Sequence, residues 1–151
     1  MPLWLRKEIQ TMSRSTDTLI KVAVGVIINP DNEVLVSLRP AHNPHGGLWE
    51  FPGGKFELDE NCFEALKREL HEEIGVEVLA AQPLICVQHD YGAICVELDT
   101  WHVTAYSGVP YGRENQEIRW VDHAALSELI FPDGNRDIVK KVAEVLQSNP
   151  A

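Results

Sequence analysis

With 13 Lys plus Arg against 23 Asp plus Glu, the 151-residue chain carries a formal charge of -10. That charge excludes a grip on long nucleic acid through phosphate contacts, although a small polyphosphate met by local cations remains admissible, and the length suits one domain burying about two-thirds of its unfolded surface. Three cysteines without C-x-x-C spacing, no apolar run near the about 18 residues of a membrane span and no signal-peptide core predict reduced thiols in a soluble cytoplasmic protein with no membrane partner.

In chain order, residues 1–18 join a short apolar start to a Ser/Thr-rich tail and read as a poorly ordered extension, so the domain is expected over 19–151. Met12 lies within that extension and offers a second possible start. The β-branched run LIKVAVGVII from Leu19 to Ile28, the turn NPDNE and the run VLVSLR predict a two-strand unit ending at Arg39. PAHNPHGG reads as a loop, and WEF as a short strand entering Pro52-Gly53-Gly54. Asp59 is placed to cap a helix that Gly75 closes. Strands are then predicted at VEVL and PLICVQH, with a turn at Asp90-Tyr91-Gly92 leading into AICVELDTWHVTAY as an antiparallel partner. After the loop SGVPYGRENQE come a strand IRWV, a short helix DHAALSEL, the turn FPDGN and a last helix from Arg136 to Gln147 with Ile138, Val142, Val145 and Leu146 inward. Strands on both sides of a central helix, with a helix at the end, predict an α+β fold in which a mixed sheet is sandwiched between helices.

The central helix carries the chemistry. At about 100° per residue, Phe63, Leu66, Leu70 and Ile74 fall within roughly 80° of one another as a buried stripe. Glu69 and Glu73 border that stripe and Glu72 lies beside them, while Lys67, Arg68 and His71 point elsewhere. Like charges at this spacing destabilise a helix, more so when half-buried, so a cation is expected to compensate. An all-oxygen set suits Mg²⁺ or Mn²⁺, and no Cys or His pair has zinc spacing. A solvated acidic face is the bland alternative.

The neighbouring residues decide against that alternative. Gly54, Glu60, Arg68, Glu69, Leu70, Glu72, Glu73, Gly75 and Val76 fit G-x5-E-x7-R-E-U-x-E-E-x-G-U, with U apolar, at every fixed position. This resembles the Nudix box. The fold expected from the resemblance is the Nudix fold, an α/β/α sandwich running from about Leu19 to the last helix. The activity it implies is cleavage of a nucleoside triphosphate to monophosphate and pyrophosphate with Mg²⁺, or Mn²⁺ in its place. Glu69, Glu72, Glu73 and the Gly53 carbonyl would hold the metal, Glu69 or Glu73 would accept the proton of water, and Arg68 would steer Glu69.

GLWEFPGGK before the box and FPDGN near the end resemble the MutT branch of the family, which acts on oxidised purine nucleotides such as 8-oxo-dGTP. By that resemblance Phe51 and Asn135 hold the purine, since a ring face plus an amide that donates and accepts reads a purine edge. Phe51 fits ordinary core as well, and Asn135 fits an N-cap as well. Arg39 stands where the branch has an Arg facing phosphates, and His45 lies in the loop beside it. Family members often bring one more acid to the metals from the later loop, where Glu114 fits better than Glu117. Trp101 and Trp120 read as strand core, with base stacking as the alternative for Trp101.

A small-molecule nucleotide is therefore the expected partner of a monomer or homodimer serving nucleotide-pool sanitising and DNA repair. Rival readings are a Nudix hydrolase of dinucleoside polyphosphates, nucleotide sugars or RNA 5′ ends, and a binding module without turnover. The intact acid set speaks against the last.

Overall fold

The computed structural model describes residues 18–39 and 46–149, so nearly all of the expected extension lies outside the described residues, Thr18 excepted. Strand β1 (Thr18–Ile27) lies inside a four-stranded sheet ordered β4-β1-β6-β5, parallel to β6 (Ile94–Ser107) and antiparallel to β4 (Gly53–Lys55). Alternation along β1 builds two cores at once. Ile20, Val22, Val24 and Val26 pack with Ile138, Val142 and Leu146 of the last helix, whereas Ala23 and Ile27 pack with Leu66, Leu70 and Ile74 of the central one. The central helix α1 (Cys62–Ile74) and the last helix α3 (Arg136–Ser148) thereby cover opposite faces, the sandwich that the sequence predicts.

Strand β2 (Val34–Leu38) departs from the expected two-strand unit. A single bridge, Ile28 to Val34, joins it to β1, and β2 instead pairs with β3 (Trp49–Glu50) and β7 (Ile118–Val121) in a second, antiparallel sheet. Asn32, in the left-handed region at φ 60°, donates to the Leu146 carbonyl at 2.8 Å and ties the intervening turn to the end of α3. A second difference is β5 (Glu77–Asp90), one continuous strand where two were expected. It is a sheet edge, and its ladder shifts register between Pro83 and Ile85, so the missing proline N–H is tolerated.

The start of α1 differs too. Asn61, not Asp59, is the cap: its side chain accepts from the Glu64 N–H at 2.9 Å, and the Glu64 carboxylate accepts from the Asn61 N–H at 3.0 Å. Asp59 sits in the preceding turn at φ 66°. Gly75 closes the helix as expected, at φ 71° with its N–H on the His71 carbonyl. Leu66, Leu70 and Ile74 are fully buried, with Phe63 half-buried against Trp101. The short helix α2 (His123–Leu126) is capped by Asp122, and a 3₁₀ turn at Asp133–Asn135 leads into α3. Among the described residues no helix is long and apolar enough to cross a membrane.

Candidate active site

Helix α1 lies close on β1 because Gly25 has no side chain there; a Cβ would press on Leu70 at 2.9 Å and Leu66 at 3.1 Å. Strand β4 runs beside this contact, and its two glycines have different reasons. A Cβ on Gly53 would strike the Ala23 carbonyl oxygen and the Val24 Cα, so the backbone itself requires glycine. A Cβ on Gly54 would occupy the space that the Glu69 carboxylate fills. The Glu73 carboxylate accepts the Gly53 N–H at 2.7 Å. Successive turns of α1 therefore bring two half-buried acids against one glycine pair.

Arg68, which leaves the helix away from the apolar stripe, folds back among the acids. Its Nε and Nη2 donate to the two oxygens of Glu60 at 2.8 and 2.9 Å, Nη2 also to the Lys55 carbonyl at 3.0 Å, and Nη1 to Glu69 at 2.8 Å. A four-carbon reach overrides the direction of its Cα–Cβ bond. The Glu60 hydrogen bonds hold the guanidinium charged, and Arg68 in turn holds the Glu60 carboxyl below the usual range. Burial pushes the Glu69 carboxyl up, against the pull of Arg68. Burial raises Glu73 well above the ordinary value, the charge of Glu50 adds to this, and the Gly53 N–H opposes it.

Glu72 is 55% exposed and meets Arg68 at 3.4 Å on the outer side. Glu114, exposed on the loop before β7, raises Glu50, Glu69 and Glu73 through its charge, so these four acids share one region. Glu117 turns away to Arg119 at 2.8 Å. Glu50 is the acid that the sequence reading missed. Strand alternation was the available signal: Trp49 and Phe51 both enter the core shared with α3, which turns Glu50 to the opposite side.

Arg39 follows β2 and is only 6% exposed. Its Nη1 lies 3.8 Å from Glu50, and its buried Nε–H has no partner among the described residues. Phe51 is 5% exposed and stacked on Phe131 at 5.2 Å between centroids, so it packs as core with its face covered. Phe131, not Phe51, lines a cavity of about 420 Å³ with His89, Tyr91, Asp133 and Gly134. Asn135 adjoins that cavity in sequence and is half-buried, yet its side chain makes no capping hydrogen bond to α3. His45 lies outside the described residues. Trp101 packs on Phe63 and donates to Asp99 at 3.0 Å, and with Trp120 belongs to the α1 side of the core.

The donor set fits a divalent cation, being all oxygen and short of positive charge near Glu73. Among the described residues no three acid, His or Cys side chains stand close enough to form a finished cage; Arg68 engages Glu69 and the Gly53 N–H engages Glu73.

A family model described as a NUDIX domain matches residues 23–141. The chain is 35% identical over 124 residues to an 8-oxo-dGTP diphosphatase of Haemophilus influenzae, covering 82% of this chain and 91% of that one. It is 38% identical over 97 residues to a CTP pyrophosphohydrolase of Escherichia coli, covering 64% of this chain and 72% of that one. A MutT structure, solved in a comparison of the Aliivibrio salmonicida and Vibrio cholerae proteins, superposes with a TM-score of 0.76 at 40% identity, covering 85% of this chain and 99% of that one.

Proposed function

The chain belongs to the Nudix family, and we propose that it is a nucleotide-pool sanitising pyrophosphohydrolase that cleaves an oxidised purine nucleoside triphosphate such as 8-oxo-dGTP, with Mg²⁺, to monophosphate and pyrophosphate. The observation that carries this reading is the pair of half-buried carboxylates, Glu69 and Glu73, set against Gly53 and Gly54 with their proton affinity raised.

Glu69, Glu72, Glu73, Glu114 and the Gly53 carbonyl are the groups that would hold the cation, which when bound supplies positive charge against the polyphosphate and Lewis acidity toward the attacking water. Everything else is the work of the chain. Arg68, clamped by Glu60, fixes the position of Glu69. Either Glu69 or Glu73 takes the proton from water, and burial suits both to accept it. Arg39, whose guanidinium lies beside Glu50 at the edge of the acids, is the cation that would meet the phosphates. Asn135, free of capping duty, offers its amide to the purine edge beside the cavity lined by Phe131 and Tyr91. Three unpaired cysteines support a cytoplasmic site of action.

A pyrimidine triphosphate is the second reading, favoured by the likeness to the CTP pyrophosphohydrolase. The test is a panel of 8-oxo-dGTP, dGTP, CTP and dCTP with Mg²⁺, following pyrophosphate and orthophosphate separately. The expected result is pyrophosphate release with the highest kcat/KM for 8-oxo-dGTP. A preference for CTP selects the second reading, and orthophosphate release or no turnover overturns both.

A further inference from the structure

The loop that carries Glu114 is fastened to the C-terminal turn of α1 by a set of hydrogen bonds. The Tyr111 N–H donates to the Ile74 carbonyl and the Arg113 N–H to the Glu73 carbonyl, both at 3.0 Å, while Arg113 Nη1 donates to the His71 carbonyl at 2.9 Å. These satisfy carbonyls that a helix end leaves open. Gln116 does something different. Its Nε2 donates to the Glu73 carbonyl at 2.9 Å, and its Oε1 accepts the Glu114 N–H at 2.9 Å. One neighbour is an acceptor and the other a donor, so the amide has one satisfying orientation.

We propose that Gln116 is a positioning residue that sets Glu114 against Glu73, one primary amide bridging the backbones of two acids from separate elements. The inference rests on the reading of Glu73 and Glu114 as cation ligands. The chemistry demands an amide of this length. Glu at 116 keeps the acceptor and loses the donor, setting a carboxylate against a carbonyl oxygen, and Ala loses both. The three contacts made by Tyr111 and Arg113 do not involve this side chain, so loss of the amide unties the Glu114 N–H while the loop stays fastened through its neighbours. A close approach supports the same geometry: a Cβ on Gly112 would collide with the Gln116 carbonyl oxygen, so the turn closes tightly around this residue.

The experiment is Mn²⁺ binding to the full chain by calorimetry, in wild type, Gln116→Ala, Gln116→Glu, Glu114→Gln and the double variant Glu114→Gln/Gln116→Ala, with melting curves on each. Residues that orient metal ligands typically alter affinity about 10- to 100-fold, so Gln116→Ala and Gln116→Glu should each weaken Mn²⁺ binding by roughly 10-fold or more. In the Glu114→Gln background Gln116→Ala should add less than about 2-fold, since its effect runs through Glu114. An undiminished effect of Gln116→Ala in that background, or none in the wild-type background, overturns the positioning role. If Glu114→Gln alone leaves Mn²⁺ affinity unchanged, the ligand role of Glu114 fails and the inference with it.

Discussion

Replacing Gly54 by Ala should remove most turnover while leaving stability nearly unchanged, whereas the same change at Gly53 should chiefly destabilise the fold. The added methyl is identical, so the difference lies in what it meets. At Gly53 it meets backbone, the Ala23 carbonyl and the Val24 Cα, at a φ of 158°. Overpacking of about 1–3 kcal/mol and conformational strain of about 1–3 kcal/mol add to roughly 2–6 kcal/mol. At about 2–4 °C per kcal/mol for a domain of this size, the melting temperature should fall by roughly 5–20 °C. At Gly54 the nearest atoms the methyl meets are those of the Glu69 carboxylate, the far end of a side chain rather than backbone, and the backbone is not at positive φ. Stability should then change by less than about 1 kcal/mol, while a displacement of Glu69 by about 1 Å should lower kcat roughly 100-fold. Thermal melts and steady-state kinetics on both variants check this. Equal melting temperatures for the two, or a normal kcat in Gly54→Ala, would refute the division of labour between the glycines.

Glu73→Gln should lose about two to three orders of magnitude in kcat with its cooperative melt intact, and near-wild-type turnover in excess Mg²⁺ would contradict the site. Asn135→Ala should lower kcat/KM for 8-oxo-dGTP roughly 10- to 200-fold and barely affect dCTP, as loss of a base-reading amide does. Its melting temperature should stay put, because the side chain caps nothing; a drop shared by all nucleotides would instead mark a structural residue. Glu60→Gln weakens the grip on Arg68 and should reduce stability at pH 7 by about 1 kcal/mol. The folded Glu60 carboxyl titrates below its ordinary value, so its stabilisation is present above the unfolded value near about 4.3 and disappears as pH falls through the folded one. Wild type and Glu60→Gln should therefore converge in melting temperature as pH falls below the unfolded value, and a gap that does not narrow on acidification would show that the ion pair is not its source.

The layered fold and the α1 acids were legible because each rests on local periodicity: alternation in VAVGVI and the apolar stripe Leu66, Leu70, Ile74. What escaped were features decided across the chain. β2 leaves β1 for β7, Val34 pairing with Val121, a contact that no window of sequence contains. Glu50 looked like one polar residue in a two-residue strand until α1 was placed beneath it. Phe51 read equally as a base platform or as core, and only the position of Phe131 decides that its face is covered. The resemblance gave the pairing of Arg68 with Glu69 but not its grip on Glu60 and the Lys55 carbonyl, since helical angle describes where Cβ points and not where a guanidinium ends.

The parallel ladder between β1 and β6 has a consequence for synthesis of the chain. Thr18 meets Ile94 and Ile27 meets Val103, so every residue of this central strand waits for one made 76 positions later. At about 5–20 residues per second that interval is roughly 4–15 s, during which VAVGVI, β-prone and uncharged, can pair on its β4 edge but lacks its β6 partner on the other. Nascent chains stalled before Ile94 should therefore be open to protease and held by chaperones, while chains stalled well past Ser107 should resist; equal resistance would show that β1 finds another shelter. The strand that lets two cores share one sheet thus keeps one open edge until β6 is made, and the rate of translation through β5 becomes a determinant of yield.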